Sequence, residues 1–121
     1  MSLQDNKTFS QELEKRTLSF SVAILRLSAA LPRTEEARVL RTQLSKSATS
    51  IGANYREANR ARSKADFRSR IGICQAEASE TLYWLEIIRE MGWLPGNGMK
   101  TVYQESTELL ALFTAIGKRL V

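Results

Sequence analysis

Apolar residues recur along this chain at spacings of three and four, the period that lines one face of a helix. Four such runs occur. In the first, Phe9, Leu13, Thr17, Phe20, Ile24, Leu27 and Leu31 form one stripe, and Leu18, Val22, Leu25 and Ala29 form a second beside it. Pro32 ends the run, because it disfavours helical geometry at Leu31 and carries no amide proton. The second run places Ala37, Leu40, Leu44, Ser47, Ile51, Tyr55 and Ala58 on one face. Thr34 suits its N-cap, and Glu35 and Glu36 suit the positive end of the helix dipole. The third opens at Ser63-Lys64-Ala65-Asp66, a capping-box spacing with Asp in place of Glu. It continues through Phe67, Ile71, Cys74, Ala78, Thr81, Leu85 and Ile88, widened by Ile73, Trp84, Ile87 and Met91. Gly92 suits its C-cap. After the loop-like Trp93–Gly98, the fourth run carries Val102, Ser106, Leu109, Phe113, Ile116 and Leu120, with Lys118 and Arg119 in its last turn.

These runs predict helices over about residues 9–31, 34–62, 64–91 and 99–120, with Met1–Thr8 frayed. Short connections make sequential helices antiparallel. The expected fold is all-α, an up-down-up-down antiparallel four-helix bundle forming a single domain over residues 1–121. Two apolar stripes on the first helix exceed what one partner helix needs. They imply burial between helices or against another subunit, so a homo-oligomer is expected. A line on the second helix reads Arg38, Arg41, Ser45, Ala48, Gly52, Arg56 and Asn59. Its small middle fits tight packing inside the bundle, or contact with a second subunit.

Composition narrows the chemistry. Apolar residues make up 43% of the 121, enough for a core, while 2 Pro and 6 Gly are few turn residues for an all-β chain. The chain has no histidine. That removes His-based acid–base catalysis, Ser-His-Asp triads and the usual zinc or di-iron ligand sets. Cys74 is the one cysteine, so no intrachain disulfide forms and a reducing, cytoplasmic location is expected. On its core stripe it reads as a small buried hydrophobe, not an activated thiolate. Uncharged runs such as Thr17–Leu25 and Leu109–Gly117 fall short of the roughly 20 residues that span a bilayer. No membrane partner is expected, and the start of the chain carries no signal-peptide pattern.

Four polar residues lie next to core positions. Asn54 and Glu57 sit beside Ile51, Tyr55 and Ala58, and Glu77 and Glu80 lie next to Cys74, Ala78 and Thr81. A carboxylate cannot be buried alone. One reading is a structural polar network that pairs them across the second and third helices with Arg56, Arg60, Arg70 or hydroxyls. The other is a carboxylate metal or acid–base site made by Glu57, Glu77 and Glu80, lacking the usual Glu-x-x-His half. The structural reading sets the expectation: no catalytic residues, no metal, no cofactor, and no enzymatic activity.

Charge supplies the functional hint. The net charge is +5 and the isoelectric point about 9.7. From Arg38 to Arg70 the chain has nine Lys or Arg against two acids, Glu57 and Asp66. Arg56, Arg60, Arg62, Lys64, Arg68 and Arg70 bracket the predicted turn between the second and third helices. Crowded cations at such a turn suit phosphate backbones, since each contact releases counterions, and Arg forks match phosphate oxygens. Tyr55, Tyr83 and Trp84 read as core aromatics, so the pattern favours backbone or shape binding over base reading. The alternative is ordinary ion pairing with Glu57, Asp66 and Glu86.

The central stretch also carries a resemblance. Ser50-Ile51, Ala53-Asn54-Tyr55-Arg56-Glu57-Ala58, Arg60, Arg62-Ser63-Lys64, Asp66-Phe67, Glu77-Ala78, Glu80-Thr81 and Tyr83-Trp84-Leu85-Glu86 look like motifs of one bacterial family. It is the four-helix-bundle family named for a protein encoded by intervening sequences within large-subunit ribosomal RNA genes. The resemblance implies an up-down bundle that assembles as a homopentamer around a central channel. It also suggests kinship with an accessory protein of diversity-generating retroelements, a basic pentameric bundle that binds nucleic acid and its reverse transcriptase. By that analogy the expected partners are further copies of this chain, and RNA or a nucleic-acid-processing protein. Gly52 departs from the pattern, standing where a related subgroup often has proline. The rival reading is a protein-interaction scaffold with no nucleic-acid role.

Overall fold

Each apolar run becomes a helix in the structure, a computed structural model that describes residues 3–94 and 96–120. The helices are α1 (Leu3–Ala29), α2 (Glu35–Ala58), α3 (Lys64–Met91) and α4 (Asn97–Arg119). Helix α1 packs on α2 and α4, and α3 packs on α2 and α4, while the diagonal pairs meet only through side chains that reach across the core. The helices thus stand at the corners of a square, alternating in direction: the antiparallel four-helix bundle that the periodicity predicts. Among the described residues there are no strands, and no helix is long and apolar enough to cross a membrane.

The helix boundaries show what propensity alone misses. Helix α1 begins at Leu3, not near Phe9. Once the core anchors a helix, each added residue gains a backbone bond without a new nucleation cost, so the polar segment extends it. The expected fraying also covered Met1 and Ser2, which lie outside the described residues. Helix α2 stops at Ala58, short of residue 62. Arg60 and Ala61 instead donate to the Glu57 and Ala58 carbonyls, each at 3.0 Å, which tightens the last turn. The chain must then extend so that Ser63 Oγ can accept the Asp66 amide at 3.0 Å and cap α3. Asp66 is too short to complete the box at Ser63; its carboxylate accepts the Arg62 amide at 3.4 Å instead. Thr34 caps α2 by accepting from the Ala37 amide at 3.1 Å. Gly92 ends α3 in the left-handed conformation that favours glycine (φ 69°).

The core is the predicted set of stripes. Leu13, Phe20 and Ile24 from α1 meet Leu44, Ile51 and Tyr55 from α2, Ile71, Leu85 and Ile88 from α3, and Leu109 and Phe113 from α4. Tyr55 meets Phe113 edge to face, with ring centroids 5.6 Å apart. Small hydroxyls fasten the helices at mid-height: Thr81 bonds Ser47 at 2.9 Å inside the core, and Ser45 bonds Ser28 at 3.3 Å. Two expectations fail at the margins. Phe9, on the predicted α1 stripe, is 43% exposed, because it stands at the end of the bundle where nothing covers it. Ile73 and Met91, expected to widen the α3 core stripe, are also exposed, since α3 needs only one face to meet two neighbours.

The second stripe of α1 is not buried within the bundle. Leu18, Val22 and Leu25 are exposed, at 51%, 39% and 48%. The small line on α2, by contrast, packs inside. Ala48 and Gly52 are buried, and a Cβ on Gly52 would lie 3.1 Å from Thr17 Oγ1 and 3.2 Å from Thr17 Cβ. Thr17 cannot easily yield, because its hydroxyl is held against the Leu13 and Glu14 carbonyls at 3.0 Å. Gly52→Leu should therefore cost about 1–3 kcal/mol by overpacking. Ser106→Ala should have the opposite sign. The Ser106 hydroxyl is buried without a hydrogen-bond partner, so its removal should stabilise by about 0.5–1 kcal/mol. Urea titrations with unchanged slope and shifted midpoints check both.

Candidate nucleic-acid interface

The short turn between α2 and α3 gathers the six predicted cations at one end of the bundle, and the structure separates them into two sets. Arg56 lies 3.7 Å from Glu14 of α1, and Arg70 lies 3.8 Å from Asp66. Both contacts are long and largely solvated, and each is worth little to stability. Arg60, Arg62, Lys64 and Arg68 are exposed and, among the described residues, make no ion pair. Glu57 is exposed and neutralises none of them at salt-bridge distance. Sequence reasoning missed the contribution of α4. Antiparallel packing returns its last turn to this end, where Arg119 shares a groove with Asn59 and Phe67. The signal was the Lys118-Arg119 pair, which periodicity assigns to a helix end without saying which neighbours it meets.

The aromatics also sort differently from the sequence expectation. Tyr55 is core, as expected, with only 2% exposure. Tyr83 is exposed, but 19 residues of helix separate it from Lys64, about 28 Å along the axis. Phe9 and Phe67 line the basic end, with the buried Tyr55 behind them.

The four polar residues expected to form one network behave separately. Asn54 satisfies its amide within its own helix, donating to the Ser50 carbonyl at 2.9 Å. Glu80 is exposed and accepts from Trp84 Nε1 at 3.3 Å. Glu57 points to solvent. Glu77 alone sits in the α2–α3 seam, beside Ser50 and Lys46. The helical phase explains this: α2 and α3 meet along Ser47, Ile51, Cys74 and Thr81, which leaves Glu57 and Glu80 outside the contact. Among the described residues no three acidic or cysteine side chains converge as metal ligands. Cys74 is buried, with its sulfur 3.5 Å from the Ile51 carbonyl, and burial pushes its thiol up to about 12.

An ion-pair cluster that the sequence did not reveal lies away from the turn. Arg16 of α1 makes a two-pronged contact with Glu105 of α4, both bonds 2.7 Å, and a third bond to Glu108 at 2.9 Å. These bonds hold the guanidinium pKa above its usual value. Glu108, which also accepts from Gln104 at 3.0 Å, is shifted below the ordinary carboxylate range. The cluster bridges α1 and α4, the thinnest seam of the bundle.

Comparison with known proteins decides the family. The family model described as 23S rRNA-intervening sequence protein matches residues 10–115. The chain belongs to this family. A solved structure similar to it is a protein of unknown function from the S23 ribosomal protein family of Bacteroides thetaiotaomicron. That structure is 36% identical, with a TM-score of 0.80, and the match covers 87% of this chain and 97% of that one. No curated protein matches.

Much of the stretch that carries the family resemblance is core. Ile51, Tyr55, Ala58, Ala78, Thr81 and Leu85 are buried, so those motifs report packing. Arg60, Arg62 and Lys64 are among the exposed motif residues that packing does not explain, beside Arg56, Glu57, Glu80, Tyr83 and Glu86. Glu77 supplies a test of the seam. Burial, then the Glu80 charge, raise its pKa above the ordinary carboxylate value. The folded protein therefore keeps this proton to higher pH than the unfolded chain does, and stability falls as pH rises through that interval. Glu77→Gln removes this titration. Its stability relative to wild type should increase as pH rises above the ordinary carboxylate range, as read by urea unfolding at each pH.

Proposed function

We propose that this protein is a non-enzymatic, self-assembling bundle that binds RNA through the phosphate backbone, at the end formed by the α2–α3 turn. The observation that carries the reading is the set of exposed cations Arg60, Arg62, Lys64 and Arg68, without carboxylate partners among the described residues. Arg119 adds to the same end. Unpaired cations held close together on short, capped helix ends repel one another, and a polyanion relieves that repulsion while releasing counterions. Arg56 and Arg70 join at the edges, since their pairings are weak enough to exchange for phosphate. The family name refers to intervening sequences of 23S rRNA, which makes structured RNA the natural first probe. The lone thiol of Cys74 suits a reducing cytoplasm.

Self-assembly is the second part of the proposal. Leu18, Val22 and Leu25 form a continuous exposed apolar stripe on α1, and such stripes on a small soluble domain usually meet a partner. A ring of five copies is the arrangement that the family resemblance suggests. The same stripe supports the rival reading, a protein-interaction scaffold whose partner is another protein, such as one that processes nucleic acid.

Fluorescence anisotropy with a structured RNA should show binding that weakens steeply from about 50 mM to about 200 mM salt. Arg62→Glu combined with Lys64→Glu should weaken it at least tenfold and lower the slope of log K against log salt by about 1.5 to 2. No binding at low salt, or affinity indifferent to salt, overturns the RNA reading; a nuclease-resistant protein partner favours the scaffold. Light scattering should give a multiple of 13.7 kDa, and Leu18→Glu with Leu25→Glu should reduce it to the monomer. A wild-type monomer at micromolar concentration defeats the assembly proposal.

A further inference from the structure

The basic end of the bundle also carries a groove of about 310 Å³, to which all four helices contribute. Phe9 and Phe67 form its apolar walls. Phe9 stands on the α1 core stripe yet keeps 43% of its surface exposed, and Phe67 is half-buried. Asn6 and Asn59 set side-chain amides along the groove, the Asn59 nitrogen already donating to the Glu14 carboxylate at 2.8 Å so that its second amide proton and its oxygen are left for a ligand, and Arg119 flanks it. A second hollow, of about 360 Å³, shares Asn59 and Phe67 with the first and is lined by Arg62 and Lys64. Aromatic rings, amides and cations therefore follow one another along a continuous surface.

That sequence of chemistry matches one class of ligand. Ring faces stack on planar bases of any identity. A carboxamide offers both a donor and an acceptor, which suits the edge of a base. Guanidinium and ammonium groups take the phosphate that follows. The larger cavity at the opposite end, about 540 Å³, is lined by Ala23, Leu27 and Met99, with one cation, Arg26, and no aromatic ring. It has room but not the combination.

We propose that the groove holds one unpaired nucleobase, stacked on the exposed ring of Phe9, with its adjoining phosphate on Arg62, Lys64 or Arg119. The inference rests on the RNA-binding reading and adds selectivity to it. A base inside a duplex is stacked on both faces and cannot enter, so single-stranded, bulged or looped RNA is preferred over a fully paired helix.

The test compares three RNA probes of equal phosphate count: a single strand, the same strand with abasic sites, and a blunt duplex. Wild type should bind the single strand at least fivefold more tightly than either of the others. Phe9→Ala should lose about five- to 150-fold toward the single strand, with no change toward the abasic strand and no change in salt slope. Phe9→Tyr should retain binding. Equal wild-type affinity for the base-bearing and abasic strands overturns the proposal, and that comparison needs no variant to fold. So does a Phe9→Ala variant that binds all three probes as wild type does, or that weakens all three alike. Arg62→Glu with Lys64→Glu should weaken all three probes. If it does so while the abasic strand binds as well as the intact one, the phosphate reading stands and the base groove falls. If no probe binds at low salt, both fall.

Discussion

Every connection in this chain is too short to carry a helix across the bundle, so each helix must run back along the one before it. That constraint closes the square and sets what meets at each end. The α2–α3 turn, the start of α1 and the finish of α4 come together because direction alternates. The groove at that end therefore draws on residues as far apart as Asn6 and Arg119. The α1–α4 side of the square is held differently from the rest. Helices α1 and α4 touch least, and there Arg16 reaches across to Glu105 and Glu108. A forked guanidinium suits this place because it fixes orientation as well as distance.

Register along the helices comes from small contacts. Gly52 lets α1 and α2 approach until Thr17 fills the space a side chain would need. The Ser47–Thr81 and Ser28–Ser45 hydroxyl pairs link neighbouring helices at fixed positions, so a shift of one turn would break both cross-helix bonds. Apolar packing tolerates sliding far better than such pairs do. The price of the close α1–α2 contact is that the Leu18–Val22–Leu25 stripe is left outside it, which makes the bundle asymmetric in its apolar surface.

Family membership and fold similarity at a TM-score of 0.80 establish a shared architecture, but architecture does not assign chemistry. The functional argument comes from what the fold leaves unspent. Packing explains Ile51, Tyr55, Ala78 and Leu85. Helix capping explains Thr34, Ser63 and Asp66. Neither explains Arg60, Arg62, Lys64 and Arg68 standing together without an ion pair among the described residues, nor an aromatic ring, Phe9, at the uncovered end of the bundle.

The sequence alone determined the helices and nearly all of the core. A period of 3.6 marks the buried face whatever the partner, and Pro32, Thr34, Ser63 and Gly92 mark the ends through local backbone chemistry. It also determined the basic turn, because those cations are neighbours along the chain. The tertiary structure alone decided which polar residues meet. Whether Glu77 faces a seam while Glu57 and Glu80 face water depends on helical phase finer than a stripe can resolve. Arg16 finds Glu105 and Glu108 across some ninety positions, and Phe9 joins Phe67 and Arg119 only when the square closes. Local patterns follow from torsions and caps within a few residues, whereas long-range neighbours follow from how whole helices pack, and no spacing in the chain encodes that directly.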